Sequence, residues 1–179
     1  MTNLLRSGWR GRLPQPAFVF TSKLVPVPCI DILPYRIGGT SVEIGLIERE
    51  DADGKRVWNL VGGGVHRQES LAAAVTRHIE ATLGPDVTWE RVDFSRPEMV
   101  GEYFPAPNAE GGHDPRKHAI ALSYALPVTG RVSPRGEALD FRWFSEAAIP
   151  FGKVGFGQEY VIRGLLPCSP PPADRKSPR

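Results

Sequence analysis

One segment constrains the fold more than any other. Ser70 to Leu83 (SLAAAVTRHIEATL) carries Leu71, Val75 and Ile79 four residues apart, which predicts a helix with one buried stripe. Gly84-Pro85 stops it, and Gly62, Gly63 and Gly64 precede it within a few residues. A single striped helix cannot bury itself, so it needs a partner surface. The rest of the chain supplies strands. Lys23 to Leu33 alternates and is rich in β-branched residues, with Pro26 and Pro28 suggesting an edge or a strand start. Ser41 to Arg49 and Val57 to Val61 are joined by Asp51 to Lys55, a hairpin turn with Asp-Gly at its tip. Further strands are expected at Val87 to Phe94, Glu98 to Phe104, His118 to Leu126 and Leu139 to Phe144, with a closing helix at Gln158 to Leu166. Pro105 to Lys117 reads as loop. Together these predict an α+β fold with a mixed sheet.

With 179 residues, the chain fits one domain with its own apolar core. We expect a body over residues 17–166, an N-terminal arm (1–16) loosely attached, and a disordered Pro-rich tail (167–179). Cys29 and Cys168 are too few and too far apart for a disulfide framework or a metal knuckle, and they fit a reducing compartment. No apolar run reaches the roughly 18–20 residues of a membrane span, and no signal-peptide core is visible, so a cytoplasmic protein is expected. The net charge of +2 is uneven: residues 1–22 carry Arg6, Arg10 and Arg12, and the tail is also basic, leaving a mildly acidic body. That distribution argues against a nucleic-acid-binding face.

Within Trp58 to Gly84, four anchors stand in register: Gly63, Glu69, Arg77 and Gly84. Glycines between a strand and a helix let the backbone approach a diphosphate. Glu69 and Arg77 lie about two helical turns apart, so a carboxylate reaching from the loop to the guanidinium would pin loop to helix. Positions 78, 81 and 82 share one helix face, where carboxylates would hold a hard cation.

This spacing resembles the Nudix box, and the resemblance extends more weakly over residues 17–166. It implies a Nudix-type α/β/α sandwich with the box helix central, a small phosphorylated ligand, and Mg²⁺ or Mn²⁺. The chain departs from the pattern where the metal would sit, because positions 78, 81 and 82 are His78, Ala81 and Thr82. Glu80 points about 200° away around the helix and does not replace them. His78 is either a metal ligand or a polar group hydrogen-bonded at the cleft floor.

Within the superfamily, the chain is most similar in pattern to GDP-mannose mannosyl hydrolases. Val27 to Leu33 resembles their first-strand motif, and Arg49 matches a substrate-contacting arginine. Ala81 matches an alanine already replacing one box glutamate. His118 matches an active-site histidine, and Asp140-Phe141-Arg142-Trp143 resembles their Asp-Tyr-Arg-Trp stretch. Their Gln-His pair, however, falls on Glu137 and Ala138, and their last box glutamate on Thr82. The glycine turn and the basic loop make Gly63, Gly64 and Arg116 candidate ligand contacts on their own chemistry; the resemblance implies Glu137 and His118 as catalytic candidates and Arg49 and His118 as ligand contacts. It also implies a rearranged metal site at His78, Glu137 and Gly63, and a structural pair in Glu69 and Arg77.

The loop holding Gly111, Gly112, His113, Arg116 and Lys117 is a basic segment able to close over a phosphorylated ligand, or an ordinary surface hairpin. Phe151 to Tyr160 (FGKVGFGQEY) either shapes a pocket or packs as a loop. Two readings lead. One is a divergent hydrolase of a nucleoside diphosphate linked to another group. The other is a catalytically inactive module binding a nucleotide, a nucleotide sugar or a protein partner. A homodimer is compatible with either.

Overall fold

The computed structural model describes residues 11, 13–38, 41–90, 92–109 and 111–166. The expected disordered tail and most of the N-terminal arm lie outside them. Their elements run α1 (Gln15–Thr21), β1 (Val27–Gly38), β2 (Ser41–Glu50), β3 (Arg56–Asn59), β4 (Val61–Gly64) and α2 (Leu71–Leu83). There follow β5 (Val87–Trp89), β6 (Met99–Phe104), β7 (Gly112–His113), β8 (Ala119–Gly130), β9 (Asp140–Ser145) and α3 (Glu159–Leu165).

The strands form one mixed sheet with the spine β3-β2-β1-β8-β6-β7; β4 pairs with β1, β5 with β8, and β9 with β2. β1 runs parallel to β8 from Val27↔Ala119 to Tyr35↔Pro127, which makes it central rather than an edge. Its prolines fit because of where its second edge changes partner. β4 serves Cys29 to Ile32 and β2 serves Tyr35 to Gly38. Pro28 precedes the first of these stretches and Pro34 falls between them, where a missing N–H breaks no bond to either strand.

Period-two alternation along β1 divides the interior. Ile30 and Ile32 face Val75, Ile79 and Leu83 of α2, whereas Cys29 and Leu33 face Val161, Ile162 and Leu165 of α3. The result is α2 on one face, the sheet between, and α3 on the other, as the α+β sandwich expectation requires. Burying α2's three large apolar side chains is worth about 1.5–3 kcal/mol each. Ser70 caps α2 by accepting from the Ala73 N–H.

Several boundaries differ from the sequence reading. The expected strand at 57–61 is two strands, broken at Leu60. Consequently Gly62, Gly63 and Gly64 are not a free bend; they pair with Asp31, Ile30 and Cys29. A Cβ at Gly62 would collide with the Ile30 carbonyl, so only glycine lets β4 lie this close to β1. The strand expected at 23–33 starts at Val27, after a short helix at Gln15–Thr21 that residue pattern did not reveal. The described residues of 105–117 are loop except for β7, and the strand expected at 87–94 ends at Trp89.

Candidate functional site

The glycine strand and α2 are tied by polar contacts. Arg77 Nε donates to Glu69 Oε1 and Nη2 to Glu69 Oε2, both at 2.7 Å. The His66 N–H also donates to Glu69, at 2.8 Å. Hydrogen bonding from Arg77 holds the Glu69 carboxyl down at about pKa 2. Arg77 Nη2 further donates to the Gly64 carbonyl at 3.0 Å, and His78 Nε2 lies 3.3 Å from the same oxygen. That carbonyl, expected to face a ligand or cation, is therefore already engaged. Gly63 adopts φ +148°, and a Cβ there would stand 2.8 Å from the His78 ring. His78 thus fills the place against the glycine strand as a packed polar group.

The residues at hand do not fit a bound Mg²⁺ or Mn²⁺. No group of three or more His, Cys, Asp or Glu stands close enough to hold a metal among the described residues. Burial and the neighbouring Arg77 push the His78 pKa down to about 4, which leaves a neutral imidazole, a poor ligand for a hard cation. Thr82 is buried and Ala81 and Glu80 are exposed, so α2 offers no carboxylate toward the sheet at these positions. Glu137, expected beside His78 at a metal, instead pairs with Arg49 at 2.7 Å. Of the expected set, His78 stands against Gly63, while Glu137 is engaged by Arg49.

A small cavity of about 60 Å³ does open beside Gly62 and Gly63. It lies on the α3 face of the sheet, and α2 lines none of it. Arg49, Arg116 and Lys117 give it three cations, against Asp31 and Asp114. Arg116 donates to Asp114 through Nε (2.8 Å) and Nη2 (2.9 Å), and Lys117 Nζ donates to it at 2.7 Å. Burial opposes ionisation of Asp114, but these donors prevail and bring its pKa to about 2. Phe156 stands between two of the cations, with the Arg116 guanidinium 4.6 Å and that of Arg49 5.4 Å from its ring centre. Phe156 holds φ +54°, a costly backbone state for a bulky side chain. The glycine-flanked segment 155–157 therefore shapes this cavity, together with the adjacent Gln158.

Asp31, which sequence reading passed over, is the most perturbed acid here. It is 6% exposed, and burial lifts its pKa to about 6 against the opposing pull of the Tyr103 hydroxyl and Lys117. Tyr103 donates to its Oδ2 at 2.5 Å, and Gln158 Nε2 approaches Oδ1 at 3.5 Å. Gln158 Oε1 in turn accepts from Asn59 Nδ2 (3.0 Å) and the Leu60 N–H (2.9 Å). Asn59 Oδ1 and Arg49 Nε are buried with no hydrogen-bond partner among the described residues, and both residues line the cavity. A signal for Asp31 existed: it is the one charge inside the apolar run Cys29 to Leu33. Asp114, Tyr103 and Gln158 carried none, since only tertiary packing brings them together.

The structure thus gathers Arg49, Arg116 and Gly63 around one cavity and sets Glu137 at Arg49. It does not bring His118 there. His118 lies in a neighbouring groove, 3.2 Å from Glu102 and stacked on Phe104 with ring centres 5.0 Å apart. Gly64 is absent from the cavity lining; Gly62 takes its place. No helix among the described residues is long and apolar enough to cross a membrane.

Comparison with solved structures agrees with this architecture. A protein from Jonesia denitrificans, described as a possible asymmetric diadenosine tetraphosphate (Ap(4)A) hydrolase, is 31% identical, with a TM-score of 0.73 over 79% of this chain and 92% of that one. The NUDIX domain of Shewanella oneidensis NrtR, solved with ADP ribose, is 13% identical with a TM-score of 0.53, covering 85% of this chain and 96% of that one. A MutT NUDIX hydrolase from Burkholderia pseudomallei is 24% identical with a TM-score of 0.52, covering 70% and 88%. The last two speak for the fold alone. No curated protein matches the chain. The model of a family described as a domain of unknown function, DUF4916, matches residues 9–154. The chain therefore belongs to the DUF4916 family, and its fold is that of the Nudix hydrolases.

Proposed function

We propose that this protein is a divergent Nudix-type hydrolase of a nucleoside diphosphate linked to another group. The observation that carries the reading is the cavity where Arg49, Arg116 and Lys117 converge beside the glycine backbone of β4. Fixed cations in a partly dry site offset the charge of a diphosphate, and phosphoryl chemistry asks mainly for such positioning and electrostatic stabilisation. The 31% identical protein described as a possible Ap(4)A hydrolase supports a substrate with linked phosphates. In this reading Glu137, paired with Arg49, accepts a proton from the attacking water at the cavity rim. His118 contacts ligand from the neighbouring groove.

The test is product analysis by ³¹P NMR after incubation with Ap4A, ADP-ribose or GDP-mannose. Turnover of at least one is expected, falling by about 10²-fold or more in Glu137→Gln and unchanged in Glu80→Gln. Equal loss in both variants would remove Glu137 from its role.

A second reading, a non-catalytic module that binds the same ligand class, is favoured by one observation: His78, Ala81 and Thr82 stand where box carboxylates are expected. Binding without phosphorus-containing products would select it.

A further inference from the structure

The cavity beside Gly62 and Gly63 is far smaller than the roughly 300–1,000 Å³ usual for an organic ligand. It suits a phosphate or a few waters. Immediately adjacent lies a groove of about 390 Å³, inside that range. The two are not independent, because Arg116 and Lys117 line both.

We propose that this groove, between the segments Lys23–Pro26 and Pro115–His118, binds the nucleoside end of a nucleoside phosphate. The phosphates then cross Arg116 and Lys117 toward Gly62 and Gly63. The proposal rests on the nucleotide reading above and deepens it by locating the base.

Three observations carry it. First, among the described residues the groove is lined by Lys23, Arg116, Lys117 and His118 and by no Asp or Glu, so it favours an anionic ligand. Asp114 engages Arg116 through two nitrogens and Lys117 through one. An arginine carries five N–H donors and a lysine three, so donors remain for phosphate oxygens. Second, its other walls are apolar, Leu24, Val25, Pro26, Pro105 and Pro115, apart from Ser22, whose hydroxyl donates to the Val19 carbonyl. Such walls satisfy few hydroxyls, which suits a base better than a second sugar. Leu24 and Val25 are 66% and 57% exposed, a high exposure for neighbouring large apolar side chains. Third, His118 is held edge-on by Glu102 and backed on one face by Phe104, with 26° between the ring planes. A ring fixed in this way is a ready stacking surface for a nucleobase.

The experiment is titration of the ¹⁵N-labelled protein with ADP and, separately, with pyrophosphate, following backbone amides. ADP is expected to shift Lys23, Leu24, Val25 and His118 as well as Gly62 and Gly63, whereas pyrophosphate shifts only the glycine set. Val25→Glu is expected to weaken ADP at least tenfold and to leave pyrophosphate within twofold; Leu24→Glu serves if that variant does not fold. ADP shifts confined to the glycine set, or equal weakening of both ligands by the groove variants, would overturn the groove assignment. The two ideas fail separately. ADP in the groove with no hydrolysis of any substrate sinks the activity alone, while hydrolysis with Lys23 to Val25 unmoved by ADP sinks the groove alone.

Discussion

Glu69 and Arg77 show what one pair of side chains contributes. Two parallel hydrogen bonds at 2.7 Å join the loop to α2, and a third from Arg77 fixes the Gly64 carbonyl. Charge-assisted bonds of this kind are worth roughly 1.5–3 kcal/mol in total context. Arg77→Ala is expected to lower the melting temperature by roughly 5–10 °C, at about 2–4 °C per kcal/mol. Ligand affinity should change little, because neither residue lines the cavity. A melt and a binding isotherm on the same variant check the ranking. His78 and Asp31 make a second residue-level case, with opposite signs. His78 falls from 6.5 to about 4 on folding, so the unfolded chain binds more protons between these values and stability rises with pH there. Asp31 rises from 3.8 to about 6, so the folded chain binds more protons and stability falls with pH across nearly the same window. The two slopes oppose each other. Between pH 5 and 6, above the range in which Glu69 and Asp114 titrate, the stability from urea melts should therefore rise more steeply with pH in Asp31→Asn and fall with pH in His78→Gln. Identical profiles in both variants would contradict these assignments.

Among the elements, the glycine strand does the most to position the site. β4 lies against β1 only because Gly62 has no Cβ. Gly62→Ala is expected to cost about 1–3 kcal/mol by forcing the two strands apart, measurable in a denaturant melt. It should also weaken ligand binding, since Gly62 and Asp31 border the cavity from paired positions. Gly152→Ala, with nothing near its Cβ and no positive φ, is the control for glycine replacement without a clash. Elements differ in how readable they are. α2 was legible to within a residue because its stripe, its Ser70 cap and its Gly84 stop agree with one another. β2 and its Asp-Gly turn were legible for the same reason. β1 was readable as a strand but not as a central one, because its prolines sit at changes of partner that only the sheet reveals. α1 has no buried residue and hence no stripe to read.

Over the whole molecule, the sheet separates two tasks. α2 and its clasp pack one face, while the cavity opens on the side of α3 and shares Arg116 and Lys117, in the loop before β8, with the groove. The spacing of Glu69 and Arg77 was visible along the chain, because it depends on one helix. The convergence of Asp31, Tyr103, Asp114 and Gln158 was not, because four distant segments meet there. Since the chain's own cations rather than a carboxylate-held metal face the cavity, phosphate binding should survive removal of divalent ions. The most direct measurement is calorimetric titration of ADP-ribose into the protein in excess EDTA, with Arg49→Ala alongside. Binding by the parent protein in EDTA, weakened at least tenfold by Arg49→Ala, is the predicted result. Binding that vanishes with EDTA, or that Arg49→Ala leaves unchanged, would contradict it.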